Sequence, residues 1–168
     1  MKYVLDVQYN GNENAVVACL GFKNWEDEKA TYAKQHFVEE ILPYVPGKFY
    51  QRELPCLLEA LKGLTDIECI VVDGYVWLDV ETHKGLGLHL YDALEKKVPM
   101  IGVAKAKFGN TPVACELLRG ESLKPLYITA KDMSLEEAKV AIASMHGQYR
   151  FPTLLKEVDS LARRACSF

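Results

Sequence analysis

No stretch of this chain approaches the ~20 apolar residues that a bilayer crossing requires, so a membrane partner is not expected. The five cysteines (Cys19, Cys56, Cys69, Cys115 and Cys166) are odd in number and scattered, with no Cys-x-x-Cys pair. That excludes zinc fingers and a disulfide framework, and it reads as buried free thiols in a reducing cytosol. His36, His83, His89 and His146 lack metal-ligand spacing, and Gly102 and Gly109 belong to no phosphate-binding glycine loop. A basic excess is missing too: 20 Lys and Arg face 23 Asp and Glu, a net charge of −3. This argues against a broad basic surface that coats DNA, yet carboxylates that hold a divalent cation also count as negative here, so nucleic acid stays open as a partner. From Met1 the chain runs straight into Tyr3-Val4-Leu5 without the basic start of a secretory leader, which reads as a cytoplasmic protein. Repeats, linkers and low-complexity segments are absent as well, so residues 1–168 are expected to form one domain.

What is present is an alternation of strand and helix patterns. Residues 3–9 read as a strand with Tyr3, Leu5, Val7 and Tyr9 on one face, while Asp6 interrupts an otherwise partly apolar second face. A turn at Gly11-Asn12-Glu13-Asn14 leads to strands over 15–22 and about 30–38, an antiparallel meander. Helices are expected over 54–64, 85–97, from Ser134 to Met145 (Ser134-x-x-Glu137 being a capping box) and over 153–165. Continuous apolar runs at 68–72, ending in Asp73-Gly74, and at 99–104, ending in Lys105, suit strands buried on both faces. Strands over 113–118 and 125–129 are expected as a hairpin around Arg119-Gly120. The fold class is therefore α/β: a three-strand antiparallel meander, then parallel strands with flanking helices.

Two features carry chemistry. The run Pro43-Tyr44-Val45-Pro46-Gly47 sets its backbone with two prolines, so it is a rigid projecting loop whose Tyr44 can push between stacked bases; the alternative is a sheet-to-helix connection whose aromatics cover the core. Asp6, Glu53, Asp73 and Asp159 are the second feature. Asp6 lies where an apolar residue is expected, Asp73 ends a buried strand, and Glu53 stands at the mouth of a helix. Buried carboxylates are costly unless paired or bound to metal, and ligands of α/β sheets gather at the carboxyl ends of strands. Oxygen-only ligands select Mg²⁺, with Mn²⁺ as substitute, and such a site suits phosphoryl transfer, with Lys105 available for the phosphate or attacking water. Each acid taken alone reads equally as a surface or capping residue.

In the order Asp6-Val7-Gln8-Tyr9, Pro43-Tyr44-Val45-Pro46-Gly47 with Arg52-Glu53 beyond, Val72-Asp73-Gly74, Ile101-Gly102-Val103-Ala104-Lys105 and Tyr149-Arg150-Phe151-Pro152, the sequence resembles the endonuclease V family over nearly its whole length. The resemblance implies a ribonuclease H-like fold and a Mg²⁺-dependent endonuclease that cuts DNA, and in some members RNA, beside a deaminated base, chiefly inosine. By motif it assigns catalysis and metal binding to Asp6, Glu53, Asp73 and Asp159, with Lys105 as the further catalytic residue. It gives the wedge to Pro43, Tyr44, Val45 and Pro46, and the backbone of the base pocket to Gly47 and Gly74. Departures from the family pattern cluster after Asp73-Gly74: Tyr75-Val76-Trp77-Leu78-Asp79-Val80-Glu81 replaces a His-Gly and a His-Pro-Arg-Arg segment, and Val76 stands where a second pocket glycine is expected. The chain also begins at the first strand, without the helical segment common in the family. Two alternatives follow from these departures: the same chemistry on another lesion or structure, or nucleic-acid binding without cutting.

Overall fold

The computed structural model describes residues 1–11, 13–79 and 83–165. Asn12 of the expected turn, Val80 and Glu81 of the replaced segment, and Cys166 lie outside the described residues. Strands β1 (Lys2–Asn10), β2 (Asn14–Phe22) and β3 (Tyr32–Glu39) form the antiparallel meander, with Asp6 opposite Ala18. Helix α1 (Phe49–Leu61) begins five residues earlier than the apolar stripe suggests, so Glu53 sits inside the helix and not at its mouth. Pro55 looks like a first-turn proline in the sequence, but here it lies mid-helix, where it withholds the N–H that the Gln51 carbonyl would accept from.

Strand β4 (Cys69–Asp73) runs parallel to β1, and a short ribbon of β5 (Trp77–Asp79) and β6 (His83–Lys84) follows it. Helix α2 (Leu86–Ala93) stops before the expected Lys97. The reason is local: the Lys97 ammonium turns back and donates to the carbonyls of Tyr91, Asp92 and Leu94 at 2.9, 3.2 and 3.1 Å, closing the helix end. Strand β7 (Met100–Ala104) is parallel to β4. The expected 113–118 strand is mostly a 3₁₀ turn, Val113–Cys115, leaving only β8 (Glu116–Leu117) to pair with β9 (Leu126–Lys131). β9 in turn runs antiparallel to β7. Helix α3 (Leu135–Ser144) carries the Ser134–Glu137 capping box, and α4 (Thr153–Ala165) has the expected bounds.

The seven-stranded sheet, ordered β3-β2-β1-β4-β7-β9-β8, has an apolar core on each face. Tyr3, Leu5, Val7, Val72 and Met100 pack with Cys56, Leu57 and Ala60 of α1 and with Leu88 and Leu90 of α2. Val4, Val71, Ile101 and Val103 point the other way, onto Leu154, Val158 and Ala162 of α4 and Ala138 and Ile142 of α3. Cys19, Cys56, Cys69 and Cys115 are buried and unpaired. No helix among the described residues is long and apolar enough to cross a membrane.

Candidate active site

Strand alternation places the first three functional side chains. In β1, β4 and β7 the residue two positions after an apolar contact on the α4 face is polar or charged: Val4 then Asp6, Val71 then Asp73, Val103 then Lys105. The parallel register sets Leu5 beside Val72 and Asp73 beside Val103, so Asp6, midway along β1, stands level with Asp73 and Lys105 at the carboxyl ends of β4 and β7. Asp159 comes from α4, one residue after Val158, which anchors the helix on that face. Together these side chains line a cleft of about 270 Å³ whose floor is Val4, Val71, Val103, Leu155 and Val158 and whose mouth is charged.

Glu53 does not line this cleft. It belongs to α1, which packs on the opposite face of the sheet, and it is only 7% exposed. It nonetheless shares the electrostatics of the site. Burial first, then the negative charges of Asp73 and Asp6, push its carboxyl up to about 8, and its Oε2 has no hydrogen-bond partner among the described residues. Asp6 is pushed up to about 7 by burial and by the charges of Asp73 and Asp159, with Lys105 acting the other way. Asp73 keeps 42% of its side-chain surface accessible but stands on a concave wall that displaces much of its hydration, and its carboxyl is raised as well. Lys105 opposes that rise, its ammonium 3.4 Å from Asp73 Oδ2. Asp159 is held by Arg163 one helical turn on, whose Nε donates to both carboxylate oxygens at 3.0 and 3.1 Å.

Three carboxyls that resist ionisation and one orphaned buried oxygen are what a hard divalent cation relieves, and the donor set is oxygen only. The residues fit such an ion in kind and in charge. As placed, no three of the described acidic, histidine or cysteine side chains close around a single point.

The proline loop projects from the α1 side: residues 43–49 are all exposed, Tyr44 at 55%. Gly47 takes φ +77°, and the Lys48 amide closes the turn on the Val45 carbonyl at 3.0 Å. Tyr44 meets Phe49 edge-on, Phe49 meets Tyr9, and the Arg52 guanidinium lies 3.9 Å over the Tyr9 ring while donating to the Gly11 carbonyl. This chain of rings ties the loop to β1 three residues beyond Asp6. Gly74 takes φ +131°, just after Asp73. Val76 is fully buried against Val72 and Gly87, and its amide donates to Thr129 Oγ1 at 2.8 Å, so its side chain fills core and not an open pocket. His89 of α2 stacks on Tyr50, ring centres 3.6 Å apart.

Sequence reasoning quoted Phe151 only within a family motif and gave neither it nor Lys156 a role in the site, yet both line the cleft. The Lys105 ammonium sits 5.4 Å from the Phe151 ring, and Arg150 donates to the carbonyls of Lys105 and Pro125 at 2.6 and 2.8 Å. The available signal was spacing: Lys156 lies three residues before Asp159 and shares its helix face.

The Endonuclease V family model matches residues 3–160. An endonuclease V of Xylella fastidiosa is 33% identical over 147 residues, covering 73% of this chain and 59% of that protein, so the chain spans less than two thirds of that relative. The crystal structure of the Streptomyces avermitilis endonuclease V superposes with a TM-score of 0.74 at 27% identity, over 97% of this chain and 79% of that one. The Ciona intestinalis endonuclease V, solved with a DNA containing an inosine followed by a ribo-adenosine, gives 0.74 at 19% identity over 98% of this chain and 84% of that one. The architecture these structures share with the present chain is the ribonuclease H-like α/β fold.

Proposed function

The chain belongs to the endonuclease V family, and from that premise we propose that it is a metal-dependent endonuclease that hydrolyses a phosphodiester near a deaminated base, inosine first of all, in DNA or RNA. The observation that carries this reading is the convergence of Asp6, Asp73, Lys105 and Asp159 on one cleft, with the buried, unpartnered Glu53 electrically coupled to it. Asp6 and Asp73 would hold Mg²⁺, or Mn²⁺ in its place, with Glu53 and Asp159 as further ligands or as groups that orient water. When bound, the ion supplies charge neutralisation at the phosphate and a water acidified for attack.

The remaining work belongs to the chain itself. Lys105 sets a positive charge beside Asp73, where a non-bridging phosphate oxygen would lie. Tyr44, on a loop stiffened by Pro43 and Pro46 and buttressed by Phe49, would occupy the gap left when the damaged base leaves the stack, with Val45 beside it. Gly47 and Gly74 would let backbone approach that base. An inosine-containing DNA bound by the Ciona relative supports the substrate class. Four buried, unpaired cysteines agree with a reducing cytoplasm.

A second reading keeps the chemistry and changes the lesion. It rests on the segment after Asp73-Gly74, where Tyr75-Val76-Trp77-Leu78 stands in place of the His-Gly and His-Pro-Arg-Arg that the family resemblance leads one to expect. The test is cleavage of labelled single- and double-stranded DNA and RNA, with and without inosine, in Mg²⁺ or Mn²⁺. A metal-dependent nick beside inosine supports the first reading; metal-dependent cutting indifferent to inosine supports the second. No cutting by the wild-type chain at any metal concentration overturns both. Val76→Gly is the companion variant: since the Val76 side chain is core, it should lower the melting temperature without a gain of inosine preference.

A further inference from the structure

Arg119 takes no part in the cleft, yet it is buried, and a buried guanidinium is costly unless its donors are used. Its Nη1 donates to the carbonyls of Tyr149 (2.6 Å) and Arg150 (3.4 Å), and its Nη2 to those of Met145 (2.7 Å) and Gly147 (3.0 Å). Four carbonyls of the 145–150 loop therefore converge on one cation. Gly120 follows at φ +61°, where any side chain would run into the Gln148 carbonyl. The loop is held in one shape by groups unrelated to the acids.

What it displays is Tyr149, 61% exposed, with the Lys156 ammonium 4.6 Å from its ring centre. Lys156 also lines the acidic cleft, so the ring stands one side chain away from the proposed site of hydrolysis. Beside it lies a concavity of about 360 Å³ bounded by Glu121, Ser122, Gln148, Tyr149 and Arg150. A flat ring, a cation for one phosphate, and the Glu121 carboxylate with the Gln148 side-chain carbonyl for a base edge make up the inventory for a single nucleotide; the Ser122 hydroxyl is taken up by the Lys124 backbone and the Gln148 Nε2 by the Tyr149 hydroxyl.

We propose that this concavity is a second base subsite, which takes one unpaired nucleobase flanking the cleaved phosphate, stacked on Tyr149 with its phosphate on Lys156. The proposal rests on the nuclease reading of the cleft. An ionised Glu121 accepts and does not donate, and thymine and uracil offer it only an N3–H flanked by two repelling carbonyls, so the subsite favours bases that present an amino group (cytosine, adenine, guanine).

The test is binding of fluorescein-labelled single strands to the full chain in EDTA, where nothing is cut, with one abasic residue walked along the strand. Wild type should lose about tenfold in affinity when the abasic residue reaches one position. Tyr149→Ala should bind about tenfold more weakly and be insensitive to that position, and Tyr149→Trp should restore both properties. Lys156→Gln should flatten the salt dependence by about 0.7 in log–log slope, the value of one single-strand phosphate contact. Glu121→Gln should remove the preference for an amino-bearing base at the same position. Equal affinity of wild type and Tyr149→Ala at every abasic position overturns the subsite while leaving the nuclease reading intact. Absence of any oligonucleotide binding by wild type overturns both.

Discussion

Asp6 is an aspartate in a strand whose every other inner residue is apolar, and its carboxyl is pushed up to about 7. A side chain that destabilises the strand it sits in is retained for what it does with a neighbour, here Asp73 on the adjacent strand. Asp73 itself packs against nothing essential, since almost half of its surface is accessible. Asp73→Ala should therefore leave the circular dichroism spectrum and melting temperature within a few degrees of wild type while lowering kcat/KM about a thousandfold or more. Wild-type activity in that variant removes Asp73 from the site. Lys105→Ala should spare the fold equally and lower the rate less, since a cation near the phosphate is one contributor among several.

Among elements, the 74–76 loop is the best determined part of the site. The Gly74 amide bonds the Val103 carbonyl at 3.0 Å, the Val76 amide bonds Thr129, and Gly102 leaves room for both; a methyl group at Gly102 would stand 2.6 Å from the Gly74 carbonyl and 2.8 Å from the Val76 amide. Gly102→Ala should cost about 1–3 kcal/mol in thermal unfolding, and activity should fall further than stability because the strand end bearing Asp73 shifts with the loop. Thr129→Val should cost about 1–3 kcal/mol by orphaning the Val76 amide. Unchanged melting in both variants would show that the loop is not held this way. Legibility also divides by element. The bounds of α4 were readable because its apolar stripe continues through Leu154, Val158 and Ala162, whereas the start of α1 was hidden by a proline that local chemistry assigns to a first turn. The alternation placing Asp6 and Asp73 on one face was readable strand by strand. Their adjacency was not a local property, because it depends on β4 joining β1 across two strands and a helix. The Thr129–Val76 bond and the Arg119 cluster join residues 53 and 26–31 positions apart, which no short-range pattern records.

For the whole molecule, the site imposes a pH dependence on folding. Asp6 and Glu53 have ordinary values of 3.8 and 4.5 and are held near 7 and 8 in the fold, while Asp73 is raised in the same direction. Between about pH 5 and 8 the folded chain thus keeps protons that the unfolded chain has released, so unfolding free energy falls as pH rises, by at most about 1.4 kcal/mol per unit for each group. Two groups oppose this at the acid end: His36 and His89 are held below their ordinary value by burial, which favours folding as pH rises through about 6.5. Asp27, Glu68 and Asp92, lowered by hydrogen bonds or lysine partners, act only below the window. The fall should therefore be clearest from about pH 6.5 to 8. Calorimetry in EDTA should show the melting temperature dropping over that range, and Glu53→Gln should flatten the drop and raise stability at its alkaline end. Added Mg²⁺ should take over the role of the protons, stabilising the wild-type chain more as pH rises, because the ion and the protons compete for the same oxygens. A melting temperature that ignores pH in EDTA and ignores Mg²⁺ at pH 8.5 would mean that these carboxyls ionise freely and do not form one electrostatic site.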